Sequence, residues 1–98
     1  MSDSDGKINI SGRTGGKGKM KVVKKKILTK YFKAVRAREK NFEIRKDEDN
    51  IQIGDLIVLE EWDNFYGYSG QVVRRYVKYV LRNAPEFGLK EGYCIIGW

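Results

Sequence analysis

Histidine is absent from the 98 residues, and cysteine and proline occur once each, at Cys94 and Pro85. Without histidine, a zinc centre of the usual Cys/His type has no ligand set, and neither a Ser–His nor a Cys–His nucleophile pair can be assembled. Any catalysis would have to rest on lysine, carboxylate, tyrosine or threonine. One cysteine makes no internal disulfide, which points to a reducing compartment and a cytoplasmic location. Flanked by Tyr93 and Ile95, Cys94 reads as a small core residue rather than a reactive thiol. No apolar run approaches the roughly 20 residues of a membrane span, and the N-terminus has no signal-peptide core, so no membrane partner is expected. The Gly-Lys pairs near the N-terminus do not make a phosphate loop, because Arg13 stands where its first glycine belongs and no Ser or Thr follows Lys19. The acids Asp47, Glu48 and Asp49 lack the glycine and closing glutamate of a calcium loop. Neither a metal nor a cofactor is expected.

Positive charge is plentiful but unevenly spread. Residues 1–26 hold eight of the twenty Lys/Arg and only two of the thirteen Asp/Glu, while the remainder is nearly balanced. Residues 1–19, rich in Gly, Ser and Lys, read as a flexible basic arm suited to polyanions. Residues 20–98 make one domain, expected to be monomeric, with a hydrophobic content of 41% for the whole chain that suits a small core.

The organising stretch is Asn41 to Trp62, read as strand, acidic turn, strand. Phe42 and Ile44 alternate with Asn41, Glu43 and Arg45, so the two apolar side chains are expected to point into the interior and the polar ones away from it. The run Leu56-Ile57-Val58-Leu59 fits a strand buried on both faces. Upstream, Met20–Leu28 reads as a strand whose lysines, Lys24 to Lys26, mark a solvated edge. Thr29 is expected to N-cap a helix reaching about Arg38, with Tyr31, Phe32 and Val35 as its core stripe. Downstream, Asn64–Gly70 reads as a loop able to cover a cleft, Gln71–Arg82 as one long strand, and Tyr93–Trp98 as a final core strand. On the long strand Arg, Tyr and Lys interleave along one face, a pattern shared by nucleic-acid platforms and ordinary exposed barrel strands. Glu60 and Glu61 fall on opposite faces and do not form an acid–base pair in an unbroken strand. This order, strand, helix, then several strands, leads to an α+β fold: a small β-barrel with one or two helices.

The run YFKAVRAREKNFEIRKDEDNIQIGDLIVLEEW, with GYSG and GYCIIGW after it, resembles the ASCH superfamily, and most closely the branch called domain of unknown function 3850. The likeness spans about residues 21–98, and its most specific pieces are Lys40-x-Phe42-Glu43-Ile44-Arg45-Lys46, Gly54-Asp55, Glu61-Trp62 and Tyr68-Ser69-Gly70. It implies a PUA-like pseudobarrel with a cleft between barrel and helix, contacted by Lys40, Glu43 and Arg45. It also implies nucleic-acid binding, RNA more than DNA and sometimes modified bases, with one branch acting as an amidohydrolase on acylated cytidine. This chain departs from the pattern in places. Val23 stands where the branch has a histidine and Arg38 where it has a glycine, and its usual arginine in the acidic turn is replaced around Glu48-Asp49; Lys26 matches its lysine. Glu43 stands where the amidohydrolases have a threonine, and a carboxylate is a poorer nucleophile toward an amide than an activated hydroxyl.

Two functions follow as expectations. In the first, a non-catalytic RNA-binding module, Lys40 and Arg45 hold phosphate or base acceptors, and Glu43 accepts from a base amino group. Trp62 or Tyr68 stacks beside Ser69, while Lys26 and the arm add salt-dependent affinity. In the second, a small amidohydrolase uses Lys40 with Glu43 or Glu61. A purely structural reading makes Glu43 and Arg45 an ion pair and Lys40 a solvated strand end.

Overall fold

A computed structural model describes residues 19–98, so the expected basic arm lies outside the described residues except for Lys19. The chain runs β1 (Val22–Leu28), α1 (Thr29–Arg36), β2 (Phe42–Lys46), β3 (Leu56–Asp63), β4 (Gly67–Tyr76), β5 (Tyr79–Arg82), a 3-10 turn at Pro85–Phe87, and β6 (Tyr93–Gly97). The strands form two three-stranded sheets, ordered β1-β3-β4 and β2-β6-β5, which makes a small α+β fold. Among the described residues no helix is long and apolar enough to cross a membrane.

The strand with the strongest apolar run takes the middle of the first sheet. Ile57, Val58 and Leu59 are all buried, with β1 parallel on one side and β4 antiparallel on the other. The second sheet is centred on β6, whose Cys94 and Ile96 face the core. Phe32 and Val35 bring α1 onto the first sheet, and the two layers close over Val23, Ile27, Leu59, Val77 and Ile96. Burial pushes the Cys94 thiol pKa up, in keeping with a core role.

The expected long strand Gln71–Arg82 is interrupted at Val77 and Lys78. Val77 N–H donates to Asp55 O in the first sheet's frame, and Lys78 N–H to Gly97 O of β6, so the chain changes sheets between these two residues. The facing shifts by one residue there too: Val73 and Val77 are buried, whereas Tyr79 is exposed and Val80 packs against the core, a break that the unbroken run of strand-forming residues does not reveal. The Asn64–Gly70 segment is also less of a loop than expected. Asp63 Oδ1 accepts from the N–H groups of Phe65 and Tyr66, which makes the turn, and Gly67 at φ 77° starts β4.

The acidic turn is ion-paired rather than simply solvated. Asp47 takes Nε and Nη2 of Arg82 at 2.5 and 2.9 Å, and Lys25 reaches Asp49 at 2.5 Å. The Arg82 hydrogen bonds hold the Asp47 pKa below the ordinary carboxylate value. Asp55 is buried, which alone would raise its pKa. It nonetheless lies lower because Lys21 Nζ (2.7 Å), Gln52 N–H (2.8 Å) and Lys21 N–H (3.1 Å) all donate to it, tying the start of β1 to the start of β3.

At the helix start Leu28, in extended conformation, is the cap residue; Thr29 is already helical and no side chain caps. The helix ends at Arg36, two residues earlier than expected. Arg38 N–H donates to Val35 O and Glu39 N–H to Ala34 O, with Arg38 at φ 63°. This is the glycine-favouring position of a Schellman ending, occupied by arginine. Left-handed backbone costs a residue with a Cβ about 1–2 kcal/mol, offset in part by glycine's greater freedom when unfolded. The nearby Arg75 adds like-charge repulsion. Arg38→Gly is therefore expected to stabilise the fold by about 1 kcal/mol, read as a rise of ~4–8 °C in the melting midpoint. An unchanged or lower midpoint would remove the strain argument.

Candidate functional site

Because β1 and β3 run parallel in register, with Leu28 opposite Trp62, both end at one edge of the first sheet, where the chain turns into α1. Strand β2 passes this edge from the other sheet. A hollow of about 470 Å³ opens there. Its walls are Lys26, Ile27 and Leu28 from β1, Tyr31 from α1, Glu43 and Arg45 from β2, and Trp62 with Asn64 from the end of β3.

How β2 presents its polar residues corrects the sequence reading. Glu43 is only 7% exposed, whereas Phe42 is 46% and Ile44 54% exposed. The alternation is present, but the faces are reversed. Register with β6 explains it: Glu43 pairs with Ile96 and Arg45 with Cys94, the two core residues of β6, while Phe42 and Ile44 pair with Gly97 and Ile95 on its outer side. Alternation tells which side chains share a face; the central strand decides which face is inside.

Burial of Glu43 is compensated by two cations. The Lys40 ammonium donates to Glu43 Oε1 and, at 2.7 Å, to Phe42 O. Arg45 donates to Glu43 Oε2 through Nε at 3.0 Å and lies within 2.9 Å of it through Nη2, which also donates to Lys26 O at 2.5 Å. The guanidinium thereby bridges β2 to β1. Its Nη1 makes no hydrogen bond among the described residues, which leaves donors for a ligand at a wall of the hollow. The indole of Trp62 is another wall of the hollow, with Lys26 Nζ 4.0 Å from its ring centroid.

Of the residues singled out in the sequence, Lys26, Glu43, Arg45 and Trp62 meet at the hollow, and Lys40 stands beside Glu43. Tyr68 and Ser69 are not among its walls. Tyr68 is exposed on β4 across from Trp62. Ser69 sits in a bulge, where it donates to Glu61 Oε1 at 2.7 Å and accepts from Gln71 N–H at 3.1 Å. Glu61 is buried and is likewise not among the walls. Tyr31, assigned to the core in the sequence, is exposed and lines the hollow; Leu28, read only as part of the first strand, and Asn64, read only as the start of a loop able to cover a cleft, are walls as well. Only the parallel pairing of β1 with β3 brings these positions together, and no local pattern announces it.

No curated protein matches the chain. A family model described as Domain of unknown function (DUF3850) matches residues 22–98, which include both sheets and the helix, and the chain belongs to that family.

Proposed function

We propose that this protein is a non-catalytic nucleic-acid-binding module that takes a base of RNA into the hollow. The observation that carries this reading is an indole and a buried carboxylate–guanidinium pair on the walls of one small hollow. Its volume suits a group of nucleotide size, within the roughly 300–1,000 Å³ of small-ligand sites. Trp62 offers a stacking surface once the Lys26 ammonium moves aside, and the displaced lysine is then free to meet a phosphate. Glu43 retains lone pairs for an exocyclic amino group, and the free Arg45 donors suit a phosphate or a base carbonyl. Two three-stranded sheets with a helix after the first strand support the finer assignment to the PUA-like pseudobarrels of the ASCH superfamily. The buried free cysteine supports a reducing, cytoplasmic setting.

The amidohydrolase alternative has the Lys40–Glu43 contact in its favour. It has less support, because the Lys40 ammonium already donates to two acceptors and Glu61 is engaged by Ser69.

Titration of the protein with mononucleotides and short RNAs at roughly 50 and 200 mM salt tests the proposal. Amide shifts are expected to concentrate at residues 26–31, 43–45 and 62–64, with affinity falling as salt rises. Trp62→Ala is expected to weaken binding by about 10–100-fold, from the roughly 1–3 kcal/mol of one base–aromatic stack. Undiminished affinity in that variant, or shifts confined to other surfaces, would overturn the reading.

A further inference from the structure

The reversal of β2 has a second consequence, on the opposite side of its sheet. Registers place Phe42, Gly97 and Tyr79 in one cross-strand row and Ile44, Ile95 and Leu81 in the next, all on the outer face. Phe42, Ile44 and Tyr79 are 46%, 54% and 61% exposed, so this face has no covering layer among the described residues. An aromatic–glycine–aromatic row gives it a definite shape. Strands two places apart lie about 10 Å from one another, so the two rings flank a floor without a side chain.

Gly97 is not required there by its backbone. It has no left-handed φ, and an added Cβ would meet Asn41 O and Tyr79 atoms at 3.9 Å, an ordinary contact. The missing side chain leaves the floor between Phe42 and Tyr79 at backbone level, so a planar ring laid across this row meets no side chain at its centre.

Charge selects the occupant. Lys46 ends the face along β2 opposite Tyr93, Lys78 precedes Tyr79, and the Lys90 ammonium lies 5.4 Å from the ring of Tyr93; Lys40, although 4.9 Å from the Phe42 ring, is already paired with Glu43 and adds no free charge here. No acid stands in either of the two rows. A second copy of this chain would bring lysine against lysine, whereas a polyanion carrying planar rings matches both features.

We propose that the outer face of the β2-β6-β5 sheet is a second binding surface, which stacks bases of a single-stranded nucleic acid across Phe42, Gly97 and Tyr79 with its phosphates on the surrounding lysines. The surface is separate from the hollow, and its use does not require that a base occupy the hollow.

The test uses the full chain with labelled oligouridylate and oligothymidylate of about ten nucleotides, alongside uridine monophosphate. Oligomers are expected to shift amides of residues 42–44, 79–81 and 95–97. Phe42→Ala combined with Tyr79→Ala is expected to reduce oligomer affinity at least tenfold. Gly97→Val, which puts a side chain on that floor and suits a strand, is expected to do the same without lowering the melting midpoint. Neither change should alter shifts that the mononucleotide causes at residues 26–31 and 62–64, whereas Trp62→Ala should abolish those shifts and leave the sheet shifts in place. Failure of the hollow and failure of the sheet are thus read separately. Oligomer affinity unchanged by both sheet variants would overturn the proposal. So would a concentration-dependent dimer that the double variant dissolves, or preferential binding of an acidic amphipathic peptide at these amides.

Discussion

Phe32→Ala is expected to destabilise the domain by about 3–5 kcal/mol, against the roughly 5–15 kcal/mol that holds a domain together. Phe32 is 1% exposed and, with Val35, supplies the whole buried stripe of an eight-residue helix. A helix this short has little intrinsic stability and depends on that stripe. The helix also carries Tyr31 to a wall of the hollow, so loosening it removes part of the candidate site as well. The informative control is Phe42→Ala. Were Phe42 a core residue, as its alternation with Glu43 suggests, the two truncations would cost about the same. With Phe42 on the outer face, its loss is expected to stay within about 1 kcal/mol. Urea midpoints of the two variants decide the matter, and equal losses would contradict the orientation of β2.

What was legible in the sequence divides along physical lines. Strand Leu56–Asp63 is announced by four successive apolar residues, and the helix by Phe32 and Val35 three apart; local patterns of this kind are set by burial on one element. The facing of β2 is a relation between strands. Its inner side carries Glu43 and Arg45 because they neutralise one another and because β6 turns Cys94 and Ile96 the same way. Neither cause lies within residues 42–46. The hollow was legible only in part for the same reason. Lys26, Glu43, Arg45 and Trp62 could be picked as residue types in motifs, whereas Tyr31, Leu28 and Asn64 join them only through the parallel register of β1 and β3, which spans more than thirty residues of sequence. Ser69 and Tyr68 show the converse: they fall in a specific motif, yet a bulge opposite Glu61 commits the serine to the scaffold.

Removing the carboxylate of Glu43 separates structure from recognition. Glu43→Ala leaves the Lys40 and Arg45 cations without a counter-ion at the wall of the hollow. Breaking a fully buried pair by deleting one partner costs about 3–5 kcal/mol. Here the surviving side chains are 17% and 20% exposed and gain some hydration, so about 2–3 kcal/mol is the expected loss. Glu43→Gln keeps the volume and an acceptor oxygen, and is the variant to use for binding. Its charge change gives the two roles opposite signs. If the hollow attracts RNA by net positive charge alone, loss of an acid makes every oligomer bind more tightly, most of all at low salt. If Glu43 accepts a hydrogen bond from a base, its amide replacement presents donors on one side and weakens that contact. Oligomers of cytosine or adenine, which carry exocyclic amino groups, are then expected to bind about tenfold more weakly, while uracil, which has none, is little affected. Fluorescence anisotropy of cytidine and uridine oligomers on Glu43→Gln at two salt concentrations gives the answer. Uniform tightening across both would leave the hollow as a basic patch that does not read bases.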